Sequence, residues 1–312
     1  KSGSGGRLPT GGLSLRRVLV GMQFAISQAL IIAAVVVTSQ LKYSQNADLG
    51  FRRQGIVNVD LPSSDAARKS TLKQRLLQIS GVEHVSLCFQ PPASEGVWQT
   101  SIRLPVRAEA EPYTIDLKFV DADYIETFGL RLIAGRNLQP SDTIREYIVN
   151  ETLVKKLGFS AAEEMIGKML DVDGRVFPVV GVVGDFHNHS FHEGIAPQVM
   201  ASSSRIYGMA SVGLSAAASA PTLAAIEKTW SDIFPEYVYN SHFMDDQVAQ
   251  FYEREAVILQ LVQAFAAIAI FIGCLGLYGL AAFMVARKTK EIGIRKTLGA
   301  SVPGILWLFG KE

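Results

Sequence analysis

The chain has 312 residues, with 30 Lys and Arg against 29 Asp and Glu, two Cys and a charged fraction of 19%, and its mean hydropathy is +0.21. The charges are unevenly placed, because residues 18–41 and 256–286 contain none. A collagen, a disordered tail, a disulfide mini-protein and an all-membrane bundle are excluded, which leaves an ordinary soluble domain held between two apolar segments.

Residues 1–17 begin KSGSGGRLPTGG, the composition of a flexible linker. Val18 to Leu41 is a run of 24 uncharged residues, roughly 36 Å as a helix, enough to cross a hydrocarbon core of about 30 Å. A cleavable leader is the rival reading, but the run is too long and Thr38-Ser39-Gln40 is not a small-x-small cleavage site. Within the span Gln23, Ser27 and Gln28 are polar without charge and offer interhelical hydrogen bonds. The polar run Lys42 to Arg53 extends the helix as far as Gly50, a plausible stop.

Residues 42–255 form the soluble region. Gly55 to Leu61 alternates apolar and polar residues and predicts a strand ended by Pro62. Ser64 or Asp65 caps a helix through Ile79, with Ala67, Leu72, Leu76 and Ile79 inward and Arg68, Lys69, Lys73 and Arg75 outward, and Gly81 closes it. Strands follow at Val82–Phe89, Gln99–Leu104 and Tyr113–Val120, with Pro91 to Gly96 and Trp98 in an exposed loop. Asp123–Leu132 reads as a short helix, Glu146–Val149 as a strand and Glu151–Leu157 as a helix. Asp173-Gly174 marks a hairpin between Met169–Val172 and Val176–Val183. Ser202 to Ser204, Ser211 and Ser215 read as a small-residue loop, Pro221–Ile233 as an amphipathic helix and Tyr237–Phe243 as a returning strand. The fold class is a mixed α/β (α+β) domain, divisible into two subdomains, flanked by transmembrane helices.

Ala256 to Ala286 is the second uncharged run, 31 residues, roughly 46 Å as a helix, so it tilts or projects beyond the lipid. Ala269, Gly273, Gly276 and Gly279 give it a small-residue face on which another helix can approach closely. Residues 1–17 and 287–312 together hold ten Lys or Arg against two acids, whereas residues 42–255 hold 20 basic and 27 acidic residues. Both flanks therefore read as cytoplasmic and the central domain as external. Cys88 lies in that domain and Cys274 in the span, so no disulfide joins them.

After the second span the chain runs Arg287-Lys288-Thr289-Lys290-Glu291-Ile292-Gly293-Ile294-Arg295-Lys296-Thr297-Leu298-Gly299-Ala300-Ser301. This segment resembles the cytoplasmic element of MacB/FtsX-type ABC transporter permeases, close to [RK]-x-x-E-I-G-I-R-K-x-L-G-A. Further likeness lies in Gln23-Phe24, Asp48-Leu49-Gly50-Phe51, Tyr124 to Arg136, Val149-Asn150-Glu151, Ile166-Gly167-Lys168 and Val180 to His187. These look like landmarks of the family's MacB-like periplasmic core domain, and the likeness runs from about residue 14 onward.

The resemblance implies that residues 287–301 form a coupling helix seated on a cytoplasmic ABC ATPase subunit, through Lys290, Glu291, Ile292, Gly293, Ile294, Arg295, Lys296, Leu298 and Gly299. Spacing alone leaves an amphipathic helix lying on membrane lipid as the alternative. ATP and Mg are implied for the partner and no cofactor for this chain, because Gly167-Lys168 and Gly310-Lys311 lack the glycine and the Ser or Thr of a phosphate-binding loop. The expected role is a non-catalytic, multi-pass permease subunit of a bacterial cell inner membrane, transmitting motion to its outer domain for export of peptides, macrolide-like compounds or lipoproteins. A second permease half or a homodimer, a periplasmic adaptor and an outer-membrane channel are implied partners. The near-balanced charge argues nothing for nucleic acid. Residues 302–312 read as the start of a further transmembrane segment, so the chain is expected to be a fragment or one half of a longer permease.

Two other classes compete. A regulator of a cell-wall hydrolase or sensor kinase would share the layout without transporting anything. A membrane-tethered metal-binding protein would use His187, His189 and His192, with Glu193, in Asp185 to Glu193. That HxHxxH pattern is loose, and the family resemblance assigns Asp185 and His187 structural hydrogen bonds. The serines lack a nucleophile-elbow sequence, which speaks against hydrolysis by serine.

Overall fold

The computed structural model describes residues 15–46, 48–62, 66–94, 96–107, 109–188, 194–250, 253–301 and 303–304. It divides into two compact units, one formed by the two ends of the chain and the other by Ser44–Glu253. The linker 1–12, the Ser64/Asp65 cap, His189, His192 and Glu193 lie outside the described residues.

The first unit contains α1 (Leu15–Asn46), and later α7 (Glu253–Arg287) and α8 (Thr289–Thr297). Within them Gly21–Gln40 and Val257–Arg287 are long and apolar enough to cross a membrane, and most of each is unburied. A helix apolar on all faces needs an apolar surround. Ser27 and Ala266 are buried and Gly273 is covered, with Gln23 Nε2 4.0 Å from where a Cβ on Gly273 would stand. The Ser27 hydroxyl donates to the Gln23 carbonyl one turn back (2.9 Å), a bond within its own helix in place of the interhelical bond expected.

The second unit holds two sheets. β1 (Ile56–Asp60), α2 (Ala66–Leu76) and β2 (Val82–Cys88) form one half of the first sheet. The other half comes from the far end of the domain: β10 (Met209–Leu214), α5 (Ala220–Ile233) and β11 (Ser241–Phe243). The strand order is β11-β1-β10-β2, all neighbours antiparallel. Two βαβ units interleaved in this way make a ferredoxin-like lobe. α2 and α5 cover one face, with Leu72, Leu76, Ile226 and Trp230 buried in the core. Trp230 donates its indole N–H to the Asp60 carbonyl (3.0 Å), so its polar end is satisfied inside.

Between β2 and β10 the chain builds the second lobe. Its elements are β3 (Trp98–Arg103), β4 (Thr114–Phe119), α3 (Tyr124–Thr127), β5 (Leu132–Gly135), β6 (Tyr147–Asn150), α4 (Glu151–Lys156), a 3-10 turn at Ala162–Met165, β7 (Met169–Val172), β8 (Arg175–Val183) and β9 (Gln198–Ala201). The order is β5-β8-β6-β9-β4-β3-β7, and β7 also pairs with β8, so the sheet curls back on itself. Asp173 and Gly174 both adopt positive φ, 52° and 75°, the two-residue hairpin turn that Asp-Gly predicts.

Several expectations are corrected. Asp123–Leu132 is helical only over Tyr124–Thr127, because Gly129 turns the chain at φ +62° and Leu132 begins β5. Ser211 sits in β10, fully buried, donating to Asn58 Oδ1 (2.8 Å). Pro91 to Ser94 is buried, held by Lys118 Nζ on the Pro91 carbonyl (3.0 Å) and Gln247 Nε2 on the Ala93 carbonyl (2.7 Å). Trp98 belongs to β3, half exposed, and packs edge-on to Phe119. The returning strand is three residues long and runs into α6 (Met244–Gln250).

Candidate functional site

The basic segment after the second long helix folds as expected, into a short separate helix. α7 breaks at Lys288, where Thr289 Oγ1 caps the Val285 and Ala286 carbonyls (3.0 and 2.9 Å), and α8 then runs nine residues. It ends in a Schellman motif: Gly299, at φ +89°, donates to the Lys296 carbonyl (3.2 Å) and Ala300 to the Arg295 carbonyl (3.0 Å). The Leu298-Gly299-Ala300 ending thus has a local backbone cause.

No residue of α8 is buried. Ile294 and Leu298 are 61% and 81% exposed, Ile292 is partly covered, and Lys290 and Lys296 are exposed. Glu291 pairs with Arg295 one turn on (2.6 Å). A Cβ on Gly293 would meet nothing within 4 Å, and its backbone is ordinary helix. Glycine inside an exposed helix costs about 1 kcal/mol relative to alanine, and nothing among the described residues requires it.

On α7 the expected small-residue face is only partly engaged. Gly273 is buried, Ala269 and Gly276 are intermediate, and Gly279 is exposed with open space around it. Ala266, one heptad before Gly273, is also buried and extends this face beyond the small residues the sequence predicts.

In the domain the landmark motifs converge although they are far apart in sequence. The segment after α1 lies against the segment after β8: His187 N–H donates to the Leu49 carbonyl (2.8 Å), and a Cβ on Gly50 would stand 2.6 Å from the Asp185 carbonyl oxygen. Asp185 accepts from Thr152 N–H (2.8 Å) and Thr152 Oγ1 (2.9 Å), holding the first turn of α4. Asn150 caps that helix, accepting from Leu153 N–H (3.1 Å) and Gln198 N–H (2.9 Å) and donating to the Ala196 carbonyl (2.9 Å). Gly135 lies at φ +77° with the Val180 carbonyl where its Cβ would be, and Arg136 makes a two-pronged pair with Glu146 (3.0 and 2.6 Å). Gly167 N–H bonds the Val179 carbonyl (2.8 Å).

Of the metal candidates only His187 is described. Burial lowers its pKa, opposed by Asp185. Among the described residues no group of three or more His, Cys, Asp or Glu is placed to hold a metal ion. Cys88 is buried in the domain and Cys274 is exposed on α7, both as free thiols.

One cluster escaped the sequence reading. Lys73 Nζ pairs with Asp121 Oδ2 (2.5 Å) and with Asp123. Burial alone would lower its pKa, but Asp121 and then Asp123 overcome this and hold it above the ordinary lysine value. Asp121 also accepts from Ser86 Oγ (2.7 Å) and Leu87 N–H (2.8 Å), stitching α2 to β2 and to the corner after β4. Lys69, expected on the outer side of α2, is instead 3% exposed and donates to the Tyr207 carbonyl (2.5 Å). The spacing Lys69, Leu72, Leu76 is that of a single helix face, which was the available signal.

A two-lobed α/β domain strung between two long apolar helices, with an exposed basic helix after the second, is the layout of a permease chain with a large inserted domain. The family model described as MacB-like periplasmic core domain matches residues 18–230, and the chain belongs to that family. It is 23% identical over 257 residues to the uncharacterized ABC transporter permease YknZ of Bacillus subtilis, a match covering 78% of this chain and 62% of that protein's length. Among solved structures, it is similar to the periplasmic region of MacB from Actinobacillus actinomycetemcomitans, with TM-score 0.45 and 16% identity over 64% of this chain and 94% of that one. It is also similar to the extracellular domain of the ABC-type transporter YknZ from Gram-positive bacteria, with TM-score 0.42 and 15% identity over 60% and 99%.

Proposed function

We propose that this chain is a non-catalytic permease subunit of an ABC transporter of a bacterial inner membrane, with residues 42–255 external and α8 docked on a cytoplasmic ATPase. The observation that carries this reading is α8 itself: none of its residues is buried, Ile294 and Leu298 are exposed, and Gly293 is a glycine that no packing among the described residues needs. Lys290, Glu291, Ile292, Arg295, Lys296 and Gly299 complete the surface, and Gly293 lets a partner backbone approach closely.

ATP and Mg belong to the partner. Closure of that partner displaces α8, and α7, 35 residues or roughly 52 Å long, carries the displacement through the lipid to the domain. Ala269, Gly273, Gly276 and Gly279 serve helix packing within the chain or with a second permease half or copy. Export of peptides, macrolide-like compounds or lipoproteins, through an adaptor and an outer channel, is the output that fits a large external domain. The permease named among its relatives supports the class of machine.

The test uses the full chain purified from its native membrane with its bound ATPase. Glu291→Lys and Gly293→Trp are expected to insert normally yet lose ATPase stimulation. Unchanged stimulation in both would reject the docking role.

A further inference from the structure

A cleft of about 500 Å³ lies where α2 and β2 of the ferredoxin-like lobe face the loops of the barrel lobe. Ala67, Leu87, Pro140 and Tyr207 give it apolar wall, Ser70 and Ser141 give hydroxyl-bearing edges, and two lysines one turn apart on α2 reach it. Its size is that of an ordinary small-ligand site, about 300–1,000 Å³.

The two lysines are not equivalent. Lys73 is neutralised by Asp121 and Asp123. The third carboxylate of the cleft, Asp142, faces Arg205 (3.7 Å). Lys69 is 3% exposed, and its one hydrogen-bond partner among the described residues is the neutral carbonyl of Tyr207. An ammonium carries three donors, and a desolvated cation facing one neutral acceptor is costly unless an anion completes its shell. A Met on this inward face would pack the same stem without that cost. Burial pulls the Lys69 pKa down, and among the described residues no carboxylate pulls it back.

We propose that this cleft binds an amphipathic carboxylate, with Lys69 receiving the anionic head and the Ala67, Leu87, Pro140 and Tyr207 wall taking the apolar body. An acyl chain and the free end of an apolar peptide share this chemistry. The site does not depend on ATPase docking, so the two readings fail separately.

The experiment is calorimetric titration of the full chain in lipid nanodiscs, corrected with empty discs. Octanoate and N-acetyl-Leu-Leu are the carboxylate probes, and octylamine and N-acetyl-Leu-Leu-amide their uncharged-head or cationic counterparts. At least one carboxylate is expected to bind, its counterpart not, and which one binds identifies the acyl or the peptide source. Lys69→Met is expected to weaken binding tenfold or more. Ser70→Trp, at an exposed position on the edge, fills the cleft while keeping the Lys69 side chain in place and is expected to abolish binding, so it decides the matter if Lys69→Met does not fold. Binding of neither carboxylate, equal binding of octylamine, or undiminished affinity in folded Lys69→Met or in Ser70→Trp overturns the proposal.

Discussion

A Cβ on Gly50 would stand 2.6 Å from the carbonyl oxygen of Asp185, so the chain leaving the first long helix is pressed against the segment that follows β8. Gly50 also sits at φ +78°, a left-handed conformation that costs other L-residues about 1–2 kcal/mol before any clash. Gly50→Ala is expected to lower the thermal midpoint of the domain by several degrees, read by tryptophan fluorescence. Gly293→Ala makes the contrast: with open space and helical backbone it is expected to leave the midpoint unchanged or raise it slightly.

Asn150 is buried and serves two N–H groups at once. Asn150→Ala removes a helix cap, typically about 1 kcal/mol, and strands the Gln198 N–H, a further ~1–3 kcal/mol. Denaturant unfolding should show a combined loss of about 2–4 kcal/mol. Asn150→Asp keeps a carboxylate oxygen to accept from both N–H groups and should lose less.

Lys73→Met leaves Asp121 in a largely buried site with only neutral donors. The loss is expected to fall between that of an exposed and a fully buried pair, roughly 1–3 kcal/mol. Double-mutant cycles with Asp123→Asn should show coupling, since both acids contact the same ammonium.

Hydrogen bonds from Arg136 hold the Glu146 carboxyl below its ordinary value of 4.5, against burial, with the Gln139 N–H helping. A depressed folded-state pKa contributes stability that is fully present above the ordinary value and is lost as pH falls through the depressed one. Glu146→Gln should therefore unfold more easily than the parent at pH 7, and the two should converge in strong acid. A constant difference across a pH series of melts would contradict this.

Much of the fold was legible where local chemistry decides it. The alternation in Gly55–Leu61, the Asp173-Gly174 turn and the Pro-started helix at 220–233 all form as their residues dictate. The basic segment after residue 287 also forms the short helix its pattern implies. Long-range pairing was not legible. β10 is an interior strand of its sheet, and its polar Ser211 makes sense only beside Asn58 on β1. β8 closes the barrel by pairing with β7, β6 and β5 along its length, which no local pattern announces. Lys69 carries a charged head that predicts the outer face, yet its spacing to Leu72 and Leu76 places it inside.

The strand that opens the domain and the one that closes it are hydrogen-bonded neighbours, Val57 opposite Phe243, and Arg53 reaches Asp245 (3.5 Å) just beyond them. Entry and exit thus share one doorway. A graft made there, replacing everything between with a short bridge, asks the remaining polypeptide to span only the gap between adjacent strands, so the whole body could be swapped as a cassette.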